Sequence, residues 1–208
     1  MTRHGCAFAL VVSLAGGVGI AADQYELTEK WKAPGEGPVS FEGQRVVALV
    51  ITPDIDLQMS AEEALVREIA PRGVEGVAAY RLIPREELKD KDRVRGWFER
   101  SKAAGVVALR IVGQEKTKSY SSMVWASGYY GNFYDFYGYG WATVTPIGPA
   151  RINTTLAIET LLYRVSDGKL LWAGVGETTN PKDVATFMRG LVKEVVNELQ
   201  KEGLVRKR

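Results

Sequence analysis

The sequence predicts an α/β fold: a single domain with a mixed five-stranded sheet, three helices packed on it and a long aromatic hairpin loop. Three observations predict this. Apolar, β-branched runs alternate with segments of helical period in the order β-α-β-α-β. A period-two strand pair with an Asp-Gly turn between its arms follows. An amphipathic helix closes the chain. With two right-handed crossovers, that order gives a mixed sheet covered by helices. The composition fits: of 208 residues, 46% are hydrophobic and 25% charged, which are globular proportions. With 27 basic and 25 acidic side chains, the net charge of +2 gives no electrostatic footprint for nucleic acid.

Residues 1–22 read as a secretory signal peptide: Arg3 and His4, then an apolar run Ala7–Ala22 with small residues before a polar restart at Asp23. Its 16 residues fall short of the roughly 20 that a spanning helix needs. The one His and the one Cys, His4 and Cys6, lie in this segment. Its removal leaves no imidazole or thiol, which excludes Ser-His-Asp and Cys-His nucleophile systems and His/Cys zinc sites. Cys6 precedes the apolar run, so no lipid anchor is expected on this chain.

Residues 23–43 read as an extended lead-in, tacked down by Trp31 and Phe41, and 44–203 as the α/β domain. Arg45–Thr52 is a strand covered on both faces. Ser60 and Glu63 have capping-box spacing at the start of a helix. Ala61, Leu65 and Ile69 form its apolar stripe, Glu62, Arg67 and Glu68 face away, and Pro71 and Gly73 end it. Val77–Pro84 is a second strand. Val94, Trp97 and Phe98 mark a second helix, running to about Ala104 and stopped by Gly105. Val106–Val112 is a third buried strand, continuing into a polar arm, Gln114–Tyr120.

The return arm alternates from about Ala150 through Ile152, Thr154, Leu156 and Ile158, with a bulge expected at Leu161–Leu162. Asp167-Gly168 supplies a two-residue turn, and Leu170–Val175 is the partner strand. Asn180-Pro181 opens the last helix, with Asp183 in its first turn. Val184, Phe187, Met188, Leu191, Val195 and Leu199 form its stripe, and Gly203 ends it. Residues 204–208 form a solvated basic tail.

Tyr163-Arg-Val-Ser-Asp-Gly-Lys-Leu-Leu-Trp172, then Gly176-Glu-Thr-Thr179 and the helix from Pro181, resembles a group of small bacterial envelope proteins, many of them lipoproteins. Their domain is similar to the amino-terminal domain of TolB, to the periplasmic part of curli-secretion proteins and to the lipoprotein activators of penicillin-binding proteins. The resemblance covers roughly residues 45–202. It implies an envelope location and a non-catalytic assembly or binding role.

Between the two arms, ten of the 22 residues from Tyr120 to Trp141 are aromatic, and Asp135 is the one charge. A connection of this length is usually functional or disordered. One reading folds these rings back over the sheet as a satellite core. The other makes them a surface for an envelope protein partner, carried by Trp125, Tyr129, Tyr130, Phe133, Tyr134, Phe136, Tyr137, Tyr139 and Trp141. Sugar stacking or insertion at a bilayer interface would use the same rings.

Other signals are weaker. Gly174 and Gly176 lack the third glycine of a dinucleotide fingerprint, so no cofactor is expected, and a strand whose glycines admit a neighbouring ring explains them. Asn153-Thr-Thr155 is a short glycosylation triplet expected to be plain strand. Asp54 and Asp56 read as solvated loop acids, and no metal site is expected. Glu159 and Glu177 are a possible carboxylate pair for glycan hydrolysis; Arg110 could equally neutralise one of them as a structural ion pair. The expected function is a non-catalytic secreted or periplasmic module that binds or assembles. A carboxylate-dependent glycan hydrolase and a membrane-surface module are the alternatives.

Overall fold

The computed structural model describes residues 27–36, 39–113, 125, 128–144, 155–179 and 184–205. Their elements, in chain order, are β1 (Leu27–Lys32), β2 (Arg45–Ile51), α1 (Ile55–Ile69), a 3-10 turn (Ala70–Arg72), β3 (Glu75–Ala78) and the short α2 (Ala79–Leu82). Then come α3 (Lys91–Ser101), β4 (Gly105–Gly113), a second 3-10 turn (Gly128–Gly131), α4 (Phe133–Ala142), β5 (Thr155–Arg164), β6 (Leu170–Thr179) and α5 (Val184–Lys201). Residues 1–22, read as a signal peptide, the arm Gln114–Tyr120, Ala150–Asn153 and the opening Asn180–Asp183 lie outside the described residues.

The sheet is mixed, as expected, but has six strands in the order β1-β6-β5-β4-β2-β3. β2 runs parallel to β3 and β4, and the other pairings are antiparallel. The sixth strand is β1, from the segment read as lead-in. Its Lys30 and Lys32 ammoniums pair with Glu198 of α5 (2.8 Å) and with Glu202 just beyond that helix (3.1 Å). Lysines on an outer strand also discourage edge-to-edge association. A register shift between Leu27 and Glu29 lets Leu27 pack on one face of the sheet and Trp31 on the other.

The continuous apolar run of β2 is explained by a core on each side. Val46, Ala48 and Val50 meet the stripe of α1 and α5; Val47, Leu49 and Ile51 meet α3 and α4. The result is three layers, helix-sheet-helix. The stripe of α5 is as expected, with Phe187, Met188, Leu191, Val195 and Leu199 buried and Val184 half-buried, and Gly203 (φ 74°) follows the helix. Leu204 and Val205, assigned to a solvated tail, are buried in the same core.

Several local expectations are corrected. The helix α1 starts six residues early, at Ile55, where Asp54 Oδ1 accepts the Leu57 amide (3.0 Å). A carboxylate cap at Asp54 thus supersedes the capping box, and Ser60 inside the helix donates to the Leu57 carbonyl (3.2 Å). Glu62 does not face away but is fully buried. The run Val77–Pro84 is a strand only to Ala78 and then turns into α2, because Glu62 accepts the Tyr80 amide at 2.9 Å. The end of α3 is Ser101, with Lys102 in the left-handed region (φ 55°), so Gly105 is the first residue of β4 rather than a helix stop.

The β5–β6 connection is a five-residue loop, 165–169, rather than a two-residue turn. Gly168 takes φ 69° but Asp167 does not have positive φ, so the required mirror-image turn is not formed. The expected bulge falls at Leu162/Tyr163, one residue along.

Gly105 has a packing role. A β-carbon there would stand 2.6 Å from the Phe41 ring, itself 1% exposed. Gly105→Ala is expected to cost about 1–3 kcal/mol by overpacking, read by chemical denaturation. An unchanged midpoint would mean that Phe41 can move aside.

Candidate functional site

The aromatic segment is held by one buried charge pair. Arg110 on β4 and Glu159 on β5 are register partners in the antiparallel pairing, so both side chains project from the same face. They are 5% and 0% exposed, and Arg110 Nη2 lies 2.9 Å from Glu159 Oε2. The guanidinium also donates from Nη2 to the Tyr130 hydroxyl (2.9 Å) and from Nη1 to Thr143 Oγ1 (2.8 Å). Its carbon sits 4.9 Å from the Tyr139 ring centre and 5.7 Å from that of Phe136. Trp125 Nε1 donates to the other carboxylate oxygen, Glu159 Oε1, at 2.8 Å. Burial works against the Arg110 charge, but the Glu159 carboxylate together with the Tyr130 and Tyr139 side chains outweighs it, so the guanidinium is held in its charged form.

Around this pair the rings form the second core. Trp125, Tyr130, Phe133, Tyr134, Phe136, Tyr137 and Trp141 are buried, Tyr139 is half-buried, and Tyr129 is 60% exposed. Phe133 meets Phe98 of α3 edge-on at 4.9 Å, and Phe136 stacks on Tyr163 at 5.6 Å. The Tyr163 hydroxyl donates to the Tyr130 carbonyl (3.0 Å), and that of Tyr137 to the Leu88 carbonyl. Folding back over the sheet is therefore the arrangement found, and from Phe133 the segment is a helix rather than a loop. Its glycines hid that helix, since they oppose helical propensity. The spacing Phe133, Phe136, Tyr137, Gly140, Trp141 was the signal that could have found it. Asn132 caps it by accepting the Tyr134 amide (3.0 Å), and Gly140 lets it lie against β2, since a β-carbon there would be 2.7 Å from Ile51 Cδ1.

What remains at the surface is small and defined. Tyr129 and Tyr139 stack with ring centres 4.9 Å apart and planes 3° apart. They border an open cleft of about 490 Å³ together with Gly128, Gly138, Lys91 and Asp135. Lys91 and Asp135 face each other across it at 3.5 Å.

The alternative pair, Glu159 and Glu177, lies on one face: Glu159 opposes Val175, and Glu177 opposes Ala157 two residues away. Glu159 is nevertheless wholly enclosed with both oxygens engaged, so a glycosidic oxygen could reach it only if the second core opened. Arg110 does hold it as a structural ion pair. The strand glycines act sterically: Gly174 admits the Trp172 ring and Gly176 admits Leu191. Asp54 is a helix cap, and Asp56 sits in the first turn of α1. Asn153 lies outside the described residues. Among the described residues no group of three or more His, Cys, Asp or Glu could hold a metal ion, and no helix is long and apolar enough to cross a membrane.

A second cleft escaped sequence reading. It lies at the carboxyl end of β2, lined by Thr52, Gln58, Arg85, Lys89 and Trp141 among others, and has a volume of about 440 Å³. The legible signal was Thr52-Pro53, the end of a buried parallel strand.

No family model matches the chain, and no curated protein matches it. Among solved structures it is similar to a PelC dodecamer from Paraburkholderia phytofirmans, with 15% identity over 83% of this chain and 95% of that one, at a TM-score of 0.45. It is also similar to the lipoprotein GNA1162 from Neisseria meningitidis, with 14% identity, coverages of 79% and 99%, and a TM-score of 0.38. A third is protein XCC0632 from Xanthomonas campestris, with 15% identity, coverages of 81% and 86%, and a TM-score of 0.25.

Proposed function

We propose that this chain is an exported envelope protein that acts by binding a protein partner, with the contact centred on Tyr129 and Tyr139. The observation that carries the reading is the stacked tyrosine pair, one ring of which is 60% exposed beside bare glycine backbone. A rigid, flat ring offers contact area with few rotamers to lose. The neighbouring Lys91 and Asp135 supply polar contacts at the rim, where interfaces carry them. The buried Arg110–Glu159 pair serves this surface by fixing Tyr139 from behind. Export is supported by the pattern of residues 1–22, and the envelope role by the resemblance of the Tyr163–Trp172 region to envelope proteins, including the TolB, curli-secretion and penicillin-binding-protein-activator types.

The test is affinity capture from an envelope extract, comparing the intact chain with Tyr129→Ala. Because Tyr129 is exposed, the variant keeps its fold, to be checked by circular dichroism. A partner retained by the intact chain and lost at least tenfold from the variant is the expected result, since an aromatic anchor at an interface is worth 2 kcal/mol or more. Identical capture by both proteins would remove Tyr129 from the interface and end this reading. Flotation with liposomes that is equal for both proteins would separately dismiss the tyrosines as a membrane anchor.

A further inference from the structure

The crevice at the carboxyl end of β2 has the position and the chemistry of a small-molecule site. The loop leaving β2 leads into α1 on one face of the sheet, whereas the chain leaving β3 passes through α2 to α3 on the other. Neighbouring parallel strands whose exits diverge in this way leave a gap between their loops, the place where open α/β sheets bind ligands. Here the gap is a cleft of about 440 Å³, within the size range of small-ligand pockets.

Three kinds of group converge on it. Trp141, at the last turn of α4, supplies an indole face, and the Lys89 ammonium stands 5.8 Å from that ring. Arg85 and Lys89 supply two cations against the single carboxylate of Glu86, and neither cation forms an ion pair among the described residues. Gln58 is 4% exposed, and its amide nitrogen donates to Glu62 Oε1 at 3.0 Å. The Glu62 oxygen also accepts the Val50 amide, which fits an acceptor there and fixes the orientation of the Gln58 amide. The Gln58 carbonyl oxygen therefore meets no donor from the described residues and stays accessible on a side chain that lines the cleft, an acceptor left for a ligand.

We infer that this cleft binds a small cyclic or aromatic carboxylate that also carries a hydroxyl: the carboxylate meets Arg85 and Lys89, the ring lies on Trp141, and the hydroxyl donates to the Gln58 carbonyl. Arg85 gives the planar fork that matches a carboxylate. Thr52, 2% exposed, closes the floor with its hydroxyl oxygen accepting the Asp54 amide at 3.2 Å. The site is separate from the Tyr129 surface and stands or falls without it.

4-Hydroxybenzoate is the probe, with 4-hydroxybenzyl alcohol as its uncharged counterpart. Both are titrated into the intact chain and into Arg85→Ala/Lys89→Ala, whose altered side chains are exposed and leave the fold in place. Binding is read from the Trp141 indole and Gln58 amide resonances, assigned with Trp141→Phe and Gln58→Glu variants. Saturable shifts at both resonances with the acid, weakened about tenfold or more in the double variant and by a similar factor with the alcohol, are expected. Three results would each overturn the inference: no shift at these resonances at millimolar acid, equal binding of the alcohol, or undiminished binding by the double variant.

Discussion

Arg110→Ala is expected to destabilise the protein by about 3–5 kcal/mol, because it strands the Glu159 carboxylate in an enclosed core. In a chain of this size that is a fall in melting temperature on the order of 10 °C. The loss exceeds that of a surface ion pair, for which about 0–1 kcal/mol is usual. Two features set it apart: Glu159 is 0% exposed, and the guanidinium also holds Tyr130, Thr143 and the faces of Phe136 and Tyr139. Arg110→Met combined with Glu159→Gln removes both charges while keeping an acceptor for Trp125 Nε1. That double variant is expected to be more stable than Arg110→Ala alone, since replacing a buried pair together costs far less than breaking it. Guanidinium denaturation of the natural chain, Arg110→Met, Glu159→Gln and their combination gives the coupling directly. A loss below 1 kcal/mol for Arg110→Ala would mean that water reaches Glu159.

The second large effect is a dependence of stability on pH. Burial pushes the Glu62 carboxyl up to about 7, although the amides of Tyr80 and Val50 and the Gln58 side chain all favour its charged form. In the unfolded chain it titrates near its ordinary value of 4.5. Between those two values the folded state holds the proton more tightly, so stability is greatest near the lower one. It falls as pH rises and levels off above the upper one, with a total change on the order of 3 kcal/mol.

Glu36, Glu87, Asp167 and Glu198 act in the opposite sense. Arg164, Trp97, Arg164 and Lys30 respectively are the main groups holding their carboxyls below the usual range. Their contribution is complete above their unfolded values and is lost as pH falls further. The window from about pH 5 to 7 therefore isolates Glu62. Urea denaturation across it should give a declining stability for the natural chain and a flatter profile for Glu62→Gln, whatever the absolute offset. Parallel profiles would show that Glu62 keeps its proton affinity unchanged on folding.

Both effects arise at residues whose neighbours were not evident from the chain order. Arg110 stood out in the sequence as a charge inside an apolar strand, and Glu159 as an acid in an alternating one. Their pairing depended on the β4–β5 register. Glu62 looked like a surface residue because it follows Ala61 on the helix. It shares a stripe with Gln58 at i−4, and that stripe faces the carboxyl end of β2.

Local patterning along the chain was enough for the α/β class, the parallel crossovers, the double-sided burial of β2 and the apolar stripe of α5. These follow from local periodicity and from turn-breaking residues, which act over a few positions. Tertiary structure decided what no short window contains. It recruited β1 as an edge strand across 140 and more residues of chain, folded the aromatic segment into a helix against the sheet, and closed Glu159 away from solvent. It also opened a cleft where two strand exits diverge. The physical reason is common to all four. A ring, a charge or an edge amide gains or loses free energy according to what covers it, and the covering groups come from distant parts of the chain.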